Sequence, residues 1–224
     1  RLVGSEMCIR DRSIWRHVPG LASLVSRLTG FTTKRSLPKW NSNAFRNGEI
    51  GSAPTGAGTP VVLFSDTFNR YFEPENLRAA IRVLRAAGYD VFAPKPAAGR
   101  PYCCGRTYLS AGMVDKARAE AERLVTALYP LARSGVRIVG LEPSCTLALR
   151  AEVPALLGTA QAENVAEATL TFAELIEAHR PDLPMSAEAA RRPVKLHGHC
   201  HQKAFDLGKP AEAVLRDIAG AEVE

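Results

Sequence analysis

Two adjacent cysteines in a glycine turn, Cys103-Cys104-Gly105, are the residues of this 224-residue chain best placed to do chemistry. Two more stand in marked settings: Cys145 in Glu142-Pro143-Ser144-Cys145, and Cys200 in His197-Gly198-His199-Cys200-His201. Neighbouring side chains on one strand or helix rarely point at one partner. A glycine directly after the pair lets the backbone bend so that both sulfurs can. Thiolates converging from several loops are what an iron–sulfur cluster takes as ligands. A lone cysteine usually packs as a small hydrophobe. A vicinal pair with two further cysteines beside strand ends points instead to metal or cluster ligation, a common use of grouped cysteines in reducing compartments.

The histidines around Cys200 offer a second chemistry. On an extended backbone His197, His199 and His201 share one face and Cys200 takes the other. Cysteine and histidine together suit tetrahedral zinc. Structural zinc sites usually show Cys-x-x-Cys pairs, however, and none is present here. The other role for His199 and His201 is beside a cluster, donating to a sulfur and tuning its potential.

The elements that must position these residues follow from periodicity. Val61-Val62-Leu63-Phe64 reads as a short buried strand. A helix is predicted over 75–87, with Leu77, Ala80, Ile81 and Leu84 on one face and Gly88 at its end. A second strand follows over 89–93, and the loop 95–105 delivers the cysteine pair. A long helix over 114–134 turns Ala117, Ala121, Leu124, Val125 and Leu128 inward. A third strand covers 136–141. A helix from Cys145 to about Leu157 follows, with Ser144 as its N-cap. A further helix is expected over 164–178, facing inward through Val165, Phe172, Leu175 and Ile176. A last strand is expected over 193–199 and a last helix over 210–218. Alternating strands and helices predict an α/β fold, a parallel sheet with helices on both faces. Sites in such sheets form beyond the carboxyl ends of the strands. All four cysteines fall in loops after strands, so all are expected on one rim. Cys145 at a helix start is expected to be favoured as a thiolate.

The remaining sequence is less informative. Residues 1–12 resemble a translated sequencing adapter, which removes Cys8 from consideration and makes the chain a fragment. Residues 13–59 read as tail and linker, with one amphipathic stretch (Leu21, Leu24, Val25, Leu28) and a Gly/Ser/Ala/Pro/Thr-rich run over 51–58. The net charge of +6 lies in these parts. Residues 1–12 carry three arginines and two acids, net +1, and 13–59 six basic residues and one Glu, net +5. Residues 60–224 balance twenty basic against twenty acidic residues, so a nucleic-acid partner is not indicated. No apolar run reaches the roughly eighteen residues of a transmembrane helix.

Three motifs carry a family resemblance: Pro101-Tyr102-Cys103-Cys104-Gly105-Arg106-Thr107, Glu142-Pro143-Ser144-Cys145 through Arg150, and His197-Gly198-His199-Cys200-His201-Gln202-Lys203. They resemble the cysteine-rich "CCG" domain found in heterodisulfide reductase, in the iron–sulfur component of glycolate oxidase and in anaerobic glycerol-3-phosphate dehydrogenase. The surrounding residues are most similar to the C-terminal part of FAD-linked 2-hydroxyacid dehydrogenases of the D-lactate type. The resemblance spans about 60–224. It implies two related repeats: the first over 60–160, a connecting helix and loop over 161–193, and a truncated second from 194. Two departures stand out. Thr67 occupies the place where members carry a cysteine after the first strand, and the chain stops before a second Cys-Cys-Gly.

The resemblance implies an iron–sulfur electron-transfer domain with Cys103, Cys104, Cys145 and Cys200 as ligands of a 4Fe-4S cluster, cubane or non-cubane. FAD would lie in sequence upstream. Implied partners are a flavin domain or subunit and an electron acceptor such as a quinone. The implied location is cytoplasmic, at the inner face of the cell membrane. No residue reads as a base or nucleophile for substrate, so the fragment is not expected to turn over alone. The reading from a different class is a zinc-stabilised α/β interaction module without a redox role.

Overall fold

Val61, Val62, Leu63 and Phe64 are all buried, and the molecule is built outward from them. The computed structural model describes residues 40–96, 99–183 and 193–223, with Ser23, Leu24, Arg27 and Leu28. Strand β1 (Thr59–Phe64) is central to a four-stranded parallel sheet with β2 (Tyr89–Phe92), β3 (Arg137–Gly140) and β4 (Thr169–Thr171), in the order β2-β1-β3-β4. Val62 lies opposite Phe92 on one side and Ile138 on the other, and Phe64 is level with Gly140.

Side chains of a strand alternate between faces, and the core divides accordingly. Val61 and Leu63 pack with Leu77, Ile81, Leu84, Leu175 and Ile176 on one side of the sheet. These come from α2 (Pro74–Ala86) and α8 (Phe172–His179). Val62 and Phe64 pack with Leu124, Leu128, Leu149, Val153 and Val165 on the other. Those come from α4 (Val114–Arg133), α5 (Pro143–Arg150), α6 (Glu152–Leu157) and α7 (Ala160–Ala168). Helices therefore cover both faces, as the alternation predicts. Short helices α1 (Thr67–Tyr71), α3 (Arg106–Ser110), α9 (Cys200–Ala204) and α10 (Gly208–Ala213) complete the fold, the last running into a π-helical turn, Val214–Ile218.

Three expected elements differ. The helix expected over 164–178 is two helices with β4 between them. Thr169-Leu170-Thr171 is rich in β-branched residues, which favour extended backbone. The Thr171 hydroxyl accepts from Glu174 N at 3.3 Å while the Glu174 carboxylate accepts from Thr171 N at 2.7 Å, a capping box that starts α8. The helix expected from Cys145 to Leu157 breaks at Ala151, because Pro154 lacks the N–H to bond Arg150 and its ring crowds that carbonyl. The strand expected over 193–199 does not join the sheet; Val194 instead forms an isolated bridge to Val223.

The expected tail and linker is partly core. Residues 1–12 and most of 13–39 lie outside the described residues; Leu24 and Leu28 are helical and exposed. From Trp40 onward the chain packs. Phe45 and Ile50 are 2% and 4% exposed and join the Leu63–Leu77 side of the core. The guanidinium of Arg70, itself buried, donates to Phe45 O at 3.2 Å, to Asn47 Oδ1 at 2.6 Å and to the Ser65 hydroxyl. Gly51 pairs with Phe92, and Ala93 N donates to Gly51 O at 3.0 Å. The Asp90 carboxylate accepts from Thr55 N at 2.5 Å, Gly56 N at 2.8 Å and the Thr55 hydroxyl at 3.1 Å. Desolvation pushes the Asp90 carboxyl up, but these hydrogen bonds outweigh it and hold it below the usual range.

Two outcomes follow for stability. Phe45→Ala should lower the unfolding free energy by about 3–5 kcal/mol in urea denaturation, the cost of emptying a buried aromatic site; a value near zero would return 40–50 to the tail. A carboxyl lowered on folding contributes stability above its ordinary range and loses it as pH falls through the lowered value. The unfolding midpoint of Asp90→Asn should therefore lie below wild type at neutral pH, and the two curves should converge in acid.

Candidate metal centre

The strand order places a crevice between β1 and β3. The chain leaves β1 for β2 on one side and returns to β3 on the other, and such a reversal opens a gap at the carboxyl ends of the two strands. Ser65, Asp66 and Thr67 follow β1 there, and Leu141 and Glu142 follow β3. Gly140 ends β3 under α5, where a Cβ would come within 2.1 Å of the Thr146 hydroxyl oxygen. Close approach of helix to strand thus requires glycine.

Cys103 and Cys104 reach the crevice from the loop after β2. Arg123 of α4 holds that loop, donating to Arg100 O at 3.0 Å and Pro101 O at 2.6 Å and lying 4.7 Å over the Tyr102 ring. Glu120, buried, pairs with Arg123 at 2.8 Å and Arg100 at 2.5 Å. Gly105 then turns the chain with φ +78°, a conformation that disfavours side chains, and a Cβ there would sit 3.0 Å from Ala117 O. Its N–H donates to Cys103 Sγ at 3.5 Å, and the Thr67 hydroxyl lies 3.9 Å from the same sulfur.

Cys104 neighbours both Cys103 and Cys145, each of which perturbs its thiol. Cys104 and Cys145 are each 4% exposed. The three thiols are pushed up from their ordinary value. For Cys103 the causes are the neighbouring Cys104 thiol, then burial. For Cys104 the Cys103 thiol works downward, but the Cys145 thiol and burial prevail. For Cys145 the Cys104 thiol also works downward, and burial with the negative charges of Asp66 and Glu142 overrides it. This corrects the expectation of a favoured thiolate at the start of α5. The helix end is already neutralised. Glu142, not Ser144, is the cap: its Oε2 accepts from Cys145 N and from the Ser144 hydroxyl, each at 2.6 Å. Burial pushes Glu142 up, yet these bonds hold it below the usual carboxylate range. Asp66 caps α1 through Asn69 N at 2.9 Å, but burial dominates and raises it.

Cys200 stands apart from the three. It opens α9, is exposed, and is not delivered by a strand. Its segment nevertheless reaches the same rim. His201 Nε2 lies 3.0 Å from the Arg106 guanidinium, and His199 Nε2 lies 3.9 Å from Glu142 Oε1. Ligand atoms of His199, Cys200 and His201 all lie within 4.8 Å of one another. Burial lowers His201, with Arg106 and His199 adding to the shift. Sequence reasoning missed Asp66, Glu142, Arg106 and Glu152. A proline directly after Glu142 is a helix-start signal that could have found the cap; the partners of Arg106 leave no local pattern.

No family model and no solved structure matches the chain. It is similar to D-2-hydroxyglutarate dehydrogenase of Pseudomonas putida, 34% identical over 144 residues, which is 64% of this chain and 13% of that protein. It is also similar to one of the subunits of anaerobic glycerol-3-phosphate dehydrogenase from Escherichia coli K12, 25% identical over 196 residues, 85% of this chain and 48% of that relative. The chain thus spans less than half the length of each. Both relatives are dehydrogenases by name, the class that the cysteine motifs resemble. The narrower assignment to the cysteine-rich domain has no family match behind it. No helix among the described residues is long and apolar enough to cross a membrane.

The thiolate is the reactive form of cysteine, so raised thiols react slowly. In metal-free protein, iodoacetamide at pH 8 should modify exposed Cys200 more than about tenfold faster than Cys104 or Cys145. Fast labelling of Cys145 would restore the activated-thiolate expectation.

Proposed function

We propose that this chain is the electron-transfer part of a flavin- and iron–sulfur-dependent oxidoreductase acting on a 2-hydroxy acid of the D-lactate or glycolate type. Cys103, Cys104, Cys145 and Cys200 are its proposed ligands for a 4Fe-4S cluster, cubane or non-cubane. The observation that carries this reading is the grouping of half-buried Cys103 with buried Cys104 and Cys145, brought from the loop after β2 and the start of α5 to the sheet's reversal point. The donor set fits such a group. Two buried thiols and a half-buried one beside two carboxyls resist ionisation alone, and bound cationic iron would supply the missing positive charge. The dehydrogenase relatives support the redox class.

A bound cluster supplies a one-electron relay whose potential depends on hydrogen bonds to the sulfurs and on solvent exposure. The residues here have definite tasks in that scheme. Gly105 N–H and the Thr67 hydroxyl direct donors at Cys103, stabilising charge on that sulfur. Phe64, Phe92 and Leu124 pack on the side of the core that contains Cys104 and Cys145, keeping water from them. Glu142 fixes the start of α5 and hence the direction of Cys145. Oxidation of the hydroxy acid belongs to a flavin-bearing domain or subunit, which holds FAD and passes electrons here. The acceptor is of the quinone type, and the location is cytoplasmic, against the inner face of the membrane.

One observation favours a second reading. The His199-Cys200-His201 group, exposed at its cysteine and half-buried at its histidines, has the donor types of a zinc site, which would make this an interaction module. Anaerobic reconstitution with iron and sulfide separates the two. The first reading expects a broad visible absorption that bleaches on reduction and is mostly lost in Cys104→Ser. Colourless protein holding stoichiometric zinc would replace it with the second.

A further inference from the structure

Among the described residues, the segment that carries Cys200 meets the rest of the rim through His199 and His201. The Arg106 guanidinium forms an ion pair with Glu152 through Nη1 and meets His201 Nε2 at 3.0 Å through Nη2. Arginine stays protonated and offers only donors, so His201 Nε2 must be the acceptor. The ring proton then sits on Nδ1, which is buried without a partner among the described residues. His199 is committed as well. Its Nδ1 accepts from His201 N at 3.2 Å and caps α9, which places its own proton on Nε2, facing Glu142 Oε1 at 3.9 Å. The two rings stack with centroids 5.3 Å apart.

A metal needs an imidazole nitrogen with a free lone pair. His201 could offer Nδ1 only by moving its proton to Nε2, against the guanidinium. His199 could offer Nδ1 only by uncapping α9. Each ring is therefore of more use to the fold as it stands than as a ligand. Arg106 directly follows Cys103-Cys104-Gly105, and His201 directly follows Cys200. One hydrogen bond thus ties the first cysteine motif to the last across 95 residues.

The geometry points to a latch: Arg106, braced by Glu152, seats the Cys200 segment on the rim through His201, and the group offers a metal its sulfur alone. Arg106 and His201 are positioning residues for Cys200. What Cys200 is positioned toward rests on the cluster reading above; the latch itself does not.

Amide hydrogen exchange in the metal-free chain tests it. Lys203, Phe205 and Leu207 donate within and just beyond α9, to His199 O, His201 O and Gln202 O, and report its opening. Arg106→Ala and His201→Leu should each speed their exchange by about tenfold or more, the scale of one lost charge-assisted hydrogen bond. His201→Gln keeps an acceptor oxygen near the place of Nε2 and should stay within about twofold of wild type. It should also keep wild-type iron per chain after anaerobic reconstitution. Unchanged exchange in Arg106→Ala would overturn the latch. So would a His201→Gln protein that keeps wild-type exchange yet loses iron, since that outcome makes the imidazole a ligand. If wild type takes up no iron but the exchange pattern holds, the cluster reading fails and the latch stands.

Discussion

A parallel strand bonded on both sides can send its carboxyl end only into the loop layer above the sheet, and β1 is one of two such strands here. Because β2 and β3 flank it, the loops after all three open at one level. The cysteine pair arrives from the β2 loop and Cys145 from the β3 loop, while Asp66 and Thr67 rise from β1 between them. The rest of the site depends on this convergence. Arg123 and Glu120 hold the β2 loop down, Gly105 aims the pair, and Glu142 aims α5. Each is a local device acting on a geometry that the sheet has already set.

The charges at the rim make a consistent pattern. Desolvation and the neighbouring Glu142 raise Asp66, whereas Glu142 is held low by hydrogen bonds from Ser144 and Cys145. Three sulfurs stand beside these carboxyls and are raised in turn. An environment of this sign is hostile to bare thiolates and hospitable to a cation that shares their charge. Arg106 brings positive charge to the rim, where it is paired with Glu152 and directed at His201.

Much of this was legible in the order of residues. Val61–Phe64, the Leu77-Ala80-Ile81-Leu84 face and the Ala117–Leu128 face are strongly periodic, and periodicity survives folding when one face is wholly buried. The cysteine loops were legible because glycine and proline mark strand ends. Short elements were not. β4 has three residues, too few to show a period, although Thr171 and Glu174 announce the helix after it. Pro154 announced the break between α5 and α6 and was overridden by the apolar run around it. Phe45 and Ile50 were missed because an isolated apolar residue in a polar stretch has no period to reveal its burial. The Arg106–His201 contact joins residues 95 apart, and nothing local encodes it.

The pairing of Gly51 with Phe92 has a consequence for where this unit begins. β2 is the outermost strand on its side of the sheet, and Gly51 takes up hydrogen-bonding capacity there that would otherwise face solvent. Exposed outer strands recruit other chains by extending the sheet. A protein cut at residue 60, where the motif resemblance starts, would uncover that strand together with the apolar surface under Phe45 and Ile50. It would be prone to self-association for reasons unrelated to its cysteines. The functional boundary and the colloidal boundary of the unit are thus different positions, and only a joint ahead of Trp40 respects both.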